Sequence, residues 1–498
     1  MADEEQPLGT ADERRRKLAR LRERGDDAFP TRFEDRDEIA TLHERFDSLE
    51  AGAEAPGTFR VAGRVMSRRE HGKLAFFTIK DGSGHLQLFA TLDGLGAEAY
   101  EHLLEVDLGD FVGAEGTVLK TRRGELSLRP ASWQFLSKAL RPLPEKYHGL
   151  TDVEQRYRRR YLDTIVNDDS REVFVKRARI ISAIRRFLDD RGFIEVETPI
   201  LQPLYGGAMA RPFVTHHNEL KRDLYLRIAV ELYLKRCIIG GIDRVYEIGR
   251  DFRNEGVSFK HNPEFTMLET YEAYVDYNHV MTMVEELVGA AAEAVGSLTT
   301  NFRGHEIDLR PPWPRVTMRQ AILDASGIDI AADDTRDVAG LQAAIKAQGL
   351  EDTVSLEPTW GQQVDELFSV TVEPDLIQPV FITEYPLEIS PFAKKTPHDP
   401  RFVERFEGFI GGMESSNAFS ELNDADDQRE RFLSQLVAFD AGDEEAHQLD
   451  EEFLEAMEHG MPPTGGMGMG IDRLIMVLTD SASIRDVILF PALRGSTP

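Results

Sequence analysis

Between residues 58 and 140 the apolar pattern repeats every second residue, and past residue 170 stretches such as 173–188 repeat at the helical period. One uniform fold class cannot satisfy both, so the chain must hold at least two differently built parts. In the first, Phe59, Val61, Gly63 and Val65 alternate, then Ala75, Phe77 and Ile79, then Leu86 and Leu88. Gly72, Asp81–Gly82–Ser83–Gly84 and Arg123–Gly124 punctuate these runs as turns. Five or so short strands in about 80 residues fit a small closed β-barrel of the OB type. Barrels of this kind bind single-stranded nucleic acid by stacking bases on aromatic rings. Phe76 and Phe77 are strand neighbours and face opposite sides, so one serves the core while the other is free to face a ligand.

In the second part, Val173, Ile180, Ile181, Ile184, Phe187 and Leu188 recur at helical spacing, and Gly192 stands where a C-cap belongs. Ile194 and Val196 then alternate into a short strand that stops at Pro199. Residues 279–297 predict a second amphipathic helix, and 315–375 read as a helical insertion. Ahead of the barrel, Arg14, Arg15, Arg16, Lys17, Arg20, Arg22 and Arg24 crowd a stretch that also holds Leu18 and Leu21, a basic amphipathic helix that either meets phosphates or is simply solvated. The division expected is a basic helical extension over 1–57, the barrel over 58–140, a linker over 141–168 carrying Pro142, Pro144 and RYRRRYLD, and one large domain over 169–498. Pattern alone gives that last domain only as mixed α and β.

Composition removes other classes. Cys237 is the one cysteine among 498 residues, which excludes a disulfide framework and points to a reducing compartment, the cytoplasm. No apolar run approaches the roughly 18 residues of a membrane span, and the acidic opening MADEEQPLGT has no signal-peptide core, so no membrane association is expected. The formal charge is −29, with 13 Lys against 46 Arg. Such a surface suits concentrated salt, and equally an ordinary acidic cytosolic protein. It opposes nucleic-acid binding in general, so an RNA partner has to be argued from local features.

No GxxxxGK[ST] occurs, and no His or Cys spacing suggests zinc; the adjacent His216 and His217 diverge on a strand. GMGMGIDR reads as a glycine-rich lead into a helix with Arg473 in the first turn, a place for an anion. The stretch 246–274 sets Arg250, Arg253, Lys260 and His261 beside Glu255 and Glu269 around a loop marked by Gly256 and Pro263, which suits an anionic nucleotide. In the stretch 405–428, Glu407, Glu414 and Glu421 stand seven residues apart. Glu407 and Glu414, on strands joined at Gly411–Gly412, are placed to converge as a Mg²⁺ site, since that ion takes one or two carboxylates plus substrate oxygens. A solvated acidic face competes with this, because residues 401–460 hold 17 acids against 4 bases.

FRNEG (252–256), HNPEF (261–265), GIDR (470–473) and RGFIEVETP (191–199) resemble the three signature motifs of class II aminoacyl-tRNA synthetases. KALRPLPEKYHGLTD (138–152), GGAMARPF (206–213), ELYLKR (231–236), EISPFAK (388–394) and FSELND (419–424) narrow the likeness to the bacterial-type lysyl-tRNA synthetases, over about residues 58–496. The resemblance implies an α+β chain: an OB-type anticodon-binding barrel, then a catalytic domain on an antiparallel sheet, in a homodimer with Pro199 at the dimer motif. It implies that Arg253 holds the ATP α-phosphate and the lysine carboxylate. Glu255 and Asn262 would read the adenosine or place the triphosphate, with Lys260 and His261 nearby. Phe265 and Arg473 would sandwich the adenine, and Glu407 and Glu414 would bind Mg²⁺. For lysine, Gly207 and Glu231 would take the α-amino group, Asn417 the carboxylate, and Tyr271 and Glu421 the ε-ammonium with Glu269 in support. Arg69, Phe76, Gln87 and Glu125 would read a U-rich anticodon of tRNA(Lys).

The chain departs from the family at Lys260, where Arg is common, and at Val230, Met413, Met467 and Met469. A lysine there replaces a planar fork by a point charge. Rival readings are an aspartate or asparagine enzyme of the same subclass, which would need a cationic side-chain pocket; a paralogue that lysylates protein, which would lack the barrel; and an inactive RNA-binding scaffold.

Overall fold

The computed structural model describes residues 10–144, 150–208, 210–440 and 449–493. Parts of the extension (1–9), the connector (145–149), the GGAMARPF motif (209), the acid-rich stretch (441–448) and the C-terminus lie outside the described residues. The chain forms two compact units, Met1–Leu150 and Thr151–Pro498.

In the first unit, α1 (Ala11–Arg24) starts at a capping box of Thr10 and Glu13 and stops at Gly25, whose φ of 82° is left-handed. After α2 (Ile39–Phe46), strands β1 (Phe59–His71), β2 (Leu74–Lys80) and β3 (His85–Thr91), short helices α3 (Leu92–Leu95) and α4 (Ala97–Leu103), and strands β4 (Phe111–Lys120) and β5 (Leu126–Ser137) follow. The five strands close in the order β1-β2-β3-β5-β4. Val61, Val65, Phe77, Ile79, Leu88 and Leu128 fill the barrel, and Leu18, Leu21, Ile39 and Leu42 of the two leading helices join the same core. The basic helix is therefore not all solvated face. Arg14 is 1% exposed and donates to the carbonyls of Leu108 (2.9 Å) and Ala139 (3.2 Å), fastening α1 to the barrel.

The second unit begins earlier than the linker expected over 141–168 suggests. Helices α5 (Val153–Arg158) and α6 (Arg160–Val166) belong to it, because buried Arg160 donates to the carbonyls of Arg485 and Leu489 and pairs with buried Asp163. They lead into α7 (Asp168–Asp189), β6 (Ile194–Glu195), a small sheet of β7 (Leu201–Gln202), β8 (Val214–His217) and β9 (Arg222–Leu226), and α8 (Glu231–Ile239). Next come β10 (Arg244–Phe252), β11 (Glu264–Ala273), α9 (Tyr277–Glu293), the hairpin β12 (Thr299–Phe302) and β13 (His305–Asp308), and β14 (Arg315–Thr317). Helices α10 (Met318–Ser326), α11 (Val338–Ala347) and α12 (Trp360–Thr371) precede β15 (Val380–Pro386), β16 (Phe402–Ile410) and β17 (Met413–Ser420). The unit ends with α13 (Ala425–Asp440), α14 (Glu451–Glu458), β18 (Thr464–Gly470), α15 (Ile471–Leu478) and α16 (Ile484–Val487).

Eight strands make one sheet in the order β14-β15-β16-β17-β18-β11-β10-β6, antiparallel except at the two edge pairs. Strand alternation gives this sheet two unlike faces. Leu268, Phe406, Ala418, Met467 and Met469 enter a core shared with Ile180, Ile184, Val284, Leu287 and Leu474 of α7, α9 and α15. Their neighbours Phe265, Met267, Glu269, Tyr271, Arg405, Asn417, Phe419, Gly466 and Gly468 line a cavity on the other face. The Gly–Met alternation is thus a strand pattern rather than a loop leading into a helix: methionine fills the core while glycine leaves room over the sheet. The helices between β14 and β15 pack through Ile322, Leu341, Val364 and Phe368 into a separate core with β15 and β16. The insertion expected over 315–375 thus opens with a strand of the main sheet.

Candidate active site

The cavity measures about 410 Å³. Its floor is β11 beside β18, paired so that Gly468 lies opposite Glu269 and Gly466 opposite Tyr271. A side chain at Gly466 is impossible: a Cβ would fall 1.9 Å from Glu421 Oε1 and 2.6 Å from the Tyr271 ring. At the cavity wall, Gly207 has φ +87°, and a Cβ would come within 3.1 Å of Ala229 and Glu231.

One end of the cavity is acidic. Glu231 and Glu269 line it, Glu421 lies just behind the lining at Gly466, and all three are buried. Glu231 opens α8 and accepts from Lys235 Nζ at 2.6 Å, one turn along. Glu269 accepts from the Tyr271 hydroxyl (3.0 Å) and from the Val230 amide (3.3 Å). Glu421 is 1% exposed. Its Oε2 forms an ion pair with Lys235 Nζ at 2.5 Å, and neither of its oxygens has a hydrogen-bond partner among the described residues. Burial pushes all three carboxyls upward: Glu269 to about 8, with Asp251 and Glu231 adding repulsion, and Glu421 well above the usual range despite Lys235. Burial also raises the Tyr271 hydroxyl well above its ordinary value, so it stays a donor.

The other end is cationic. Arg253 follows β10; its amide donates to Pro263 O (2.9 Å) and its Nε to Ile228 O (3.3 Å). Its guanidinium carbon lies 5.2 Å from the Phe265 ring centroid. Glu255, exposed, Lys260 and His261 line the cavity from the loop between β10 and β11. Lys260 Nζ lies 3.5 Å from Glu373. His261 Nδ1 is 2.9 Å from Ser258 Oγ, and burial, then the Arg473 cation, holds this imidazole below its usual range. Asn262 also borders the cavity, but its amide is committed: it donates to Glu264 O (2.6 Å) and accepts from the Ala492 amide (3.1 Å). Those bonds hold the loop and leave the amide one N–H and one acceptor position for a nucleotide. Arg473, third in α15, donates to Glu414 Oε2 at 3.1 Å. Its neighbour Asp472 pins the helix to β11 through the Thr266 amide (2.7 Å).

Residues seven apart on a regular strand point to opposite faces, so Glu414 and Glu421 cannot share a face without an irregularity. The register supplies it. Gly408 faces Ser416 and Phe409 faces Glu414, leaving Ser415 as an extra residue in β17. This β-bulge turns Glu414 onto the cavity side with Asn417. Glu407, opposite Asn417, lies just behind the lining. It accepts from Arg405 Nη2 (2.5 Å) and Asn417 Nδ2 (3.4 Å). Burial, and after it Glu414, pushes the Glu407 carboxyl up to about 8. Arg405, which the motifs did not single out, also donates to Asn417 Oδ1 (3.1 Å), Ser390 Oγ (2.9 Å) and Ile389 O (3.0 Å). Two carboxylates close enough to repel, with no group of three potential ligands among the described residues, fit an ion that completes its shell with substrate oxygens.

In the first unit, Arg69, Phe76, Thr78 and Gln87 sit on the outer face of β1–β3, with Arg69 opposite Phe76 and Thr78 opposite Gln87. Phe77 fills the barrel, and Phe76 stacks on Phe89 at 5.2 Å and 16°. Phe89 was not among the expected readers, although the alternation His85–Gln87–Phe89 places it on the same face. Gln87 Nε2 donates to Ser127 Oγ (2.8 Å), and Glu125 is exposed just before β5. Pro199 is exposed, as are Ile194 (54%), Ile200 (44%) and Leu201 (47%) around it.

An OB barrel together with an antiparallel sheet whose glycine-lined face joins an acidic pocket to a cluster of cations defines a class II aminoacyl-tRNA synthetase. The family of class II tRNA synthetases (D, K and N) matches residues 152–494, the OB-fold nucleic acid binding domain matches 59–136, and the chain belongs to that synthetase family. Within it the chain groups with the lysine–tRNA ligases and is an ATP-dependent ligase of that kind. It is 54% identical to the lysine–tRNA ligase of Moorella thermoacetica, over 96% of both chains. It is 55% identical to that of Chloroflexus aurantiacus over 97% of both, and 51% identical to that of Halalkalibacterium halodurans over 97% of this chain and 96% of the other.

Proposed function

We propose that this chain activates L-lysine with ATP, releasing pyrophosphate, and passes the lysyl group to the 3′-terminal adenosine of tRNA(Lys). The carrying observation is the buried acidic end of the cavity. Three buried carboxylates gather there around one resident ammonium, which pairs with Glu231 and Glu421, and neither oxygen of Glu421 has a hydrogen bond among the described residues. A pocket of that sign takes a cation and rejects the acid or amide side chain that an aspartate or asparagine enzyme would need.

Activation is attack by the lysine carboxylate on the α-phosphorus, and it needs no protein nucleophile. The protein must bring two anions together and offset their repulsion. On this reading Arg253 lies between the carboxylate and the α-phosphate, Phe265 and Arg473 hold the adenine, and Lys260 and His261 flank the triphosphate. Glu231 with Gly207 takes the α-ammonium, Asn417 the carboxylate, and Glu421 with Tyr271 and Glu269 the ε-ammonium. Glu255 faces the nucleotide from its exposed loop. Glu407 and Glu414 would hold Mg²⁺, which supplies charge neutralisation on the phosphates. Asn262 fixes the loop and, on this reading, meets the adenosine or the triphosphate.

Amino-acid-dependent ATP–pyrophosphate exchange with each of the twenty amino acids tests this. Exchange with lysine alone is expected. Exchange with aspartate or asparagine, or none in folded protein, overturns the reading.

The barrel face of Arg69, Phe76, Gln87 and Glu125 supports anticodon binding. Phe76→Ala is expected to leave pyrophosphate exchange intact and to lower kcat/KM for tRNA charging by about tenfold or more, the loss of one stacked base at ~1–3 kcal/mol. Equal charging by both proteins would remove Phe76 from recognition. The exposed apolar residues around Pro199 support a homodimer built there, working in the cytoplasm. No described helix is long and apolar enough to cross a membrane.

A further inference from the structure

Lys235, behind the acidic end of the cavity, is an ionisable group that the reaction leaves without a task. Its side chain is 0% exposed, and its Nζ lies 2.6 Å from Glu231 Oε1 and 2.5 Å from Glu421 Oε2. It sits 4.7 Å from the Phe392 ring centroid and 5.5 Å from that of Phe419. Glu231 and Glu421 are the carboxylates placed at the two ends of the bound lysine, and this single nitrogen touches both.

We propose that Lys235 is a positioning residue for amino-acid specificity: a resident ammonium that bridges Glu231 and Glu421 and sets the charge of the pocket. The inference rests on the lysine reading above. Its argument is electrostatic. Once lysine has displaced the carboxyl protons, Glu231, Glu269 and Glu421 ionised beside a protonated Lys235 leave the pocket two net negative charges, which match the two ammonium groups of lysine. The lysine carboxylate lies outside this balance, toward Arg253. Without Lys235, Glu231 and Glu421 face each other across a dry space with no cation between them, and the proton that burial already favours there is held more tightly. That proton removes an acceptor from one end of the substrate.

The other charged groups around the pair do not replace it. Tyr271 and Glu269 of β11 face the same space, Arg405 of β16 acts on Glu231 from farther away, and Arg236, next on α8, is turned to Asp450 at 2.9 Å. Burial opposes the Lys235 charge, but Glu231 and Glu421 outweigh it and hold this ammonium above its ordinary range. The two rings add a face-on aromatic contact that a cation prefers.

The test compares Lys235→Met and Lys235→Arg with the parent enzyme, in the full chain, by lysine-dependent pyrophosphate exchange from pH 6.5 to 8.5. Lys235→Met is expected to raise the KM for lysine at least tenfold at pH 7. It should move the pH at which that KM levels off upward by at least one unit, with the KM for ATP within threefold. The direction follows because a protonated carboxyl must lose its proton before it can pair with the substrate. Lys235→Arg keeps the charge and should stay within threefold and half a pH unit. A pH-independent loss in Lys235→Met shared by both substrates would reduce Lys235 to packing and overturn the proposal. So would a tenfold lysine defect in Lys235→Arg, which also decides the matter if the Met variant does not fold. Failure of the parent enzyme to exchange with lysine would instead overturn the lysine reading itself.

Discussion

Glu421→Gln raises the KM for lysine by about a hundredfold or more, while the KM for ATP stays within about threefold. The substitution preserves shape, so no cavity opens and packing is kept. What it removes is the negative charge opposite the ε-ammonium, in a place where Glu421 is buried and water cannot take over. Truncating one partner of a buried, hydrogen-bonded charge pair costs about 2–5 kcal/mol, and about 2.7 kcal/mol is a hundredfold in affinity. The pH profile carries a second sign. Burial holds the Glu421 carboxyl well above its ordinary range, so below that point lysine must displace a proton, and its KM falls as pH rises. Glutamine has no proton to lose, and the profile becomes shallower. Steady-state exchange against lysine and against ATP measures both. An unchanged lysine KM would remove Glu421 from the pocket; equal losses toward both substrates would mark a damaged fold.

The sequence carried the two-part architecture because period-two alternation over 58–140 and helical spacing beyond 170 are local properties. The cation-rich hairpin was legible for the same reason: Arg253, Lys260 and His261 lie within ten residues, and Phe265, Glu269 and Tyr271 share a strand face by parity alone. Other features depended on distant pairing. The seven-residue spacing of Glu414 and Glu421 gives one shared face only because Ser415 is bulged, and nothing local in ESSNAFSE announces a bulge. Lys235 sits four residues after Glu231, the spacing of an ordinary exposed helix pair. Only the arrival of Glu421, just past the end of β17, makes it a buried bridge. Arg405 was hidden in the same way, since its partners Ser390 and Asn417 come from other segments. Arg14 looked like one arginine among six, until the barrel carbonyls it reaches, about a hundred residues away, set it apart.

Arg253→Ala lowers kcat/KM for exchange by about a thousandfold, with most of the loss in kcat. The reason is where charge grows. In the ground state the lysine carboxylate and the α-phosphate are separate anions, each with its own counter-charge. As the new bond forms they share one centre, and the charge on the phosphoryl oxygens rises. A guanidinium fixed beside that centre stabilises the later state more than the earlier one, and loss of such a preorganised donor typically costs about 2.7–4 kcal/mol. Arg253 is fixed from two sides: its amide bonds to Pro263 O, and its Nε to Ile228 O. That leaves the ends of the fork for the reacting groups. Arg253→Lys keeps a charge but loses the planar fork and the Nε anchor, so it is expected to fall between alanine and the parent enzyme. Steady-state exchange with both variants, alongside equilibrium dialysis with ATP, separates binding from chemistry. If Arg253→Ala raised only the KM for ATP and left kcat intact, the residue would be an ordinary phosphate anchor, and the cation at the reacting centre would have to be sought among Lys260, Arg405 and Arg473, which line the same cavity.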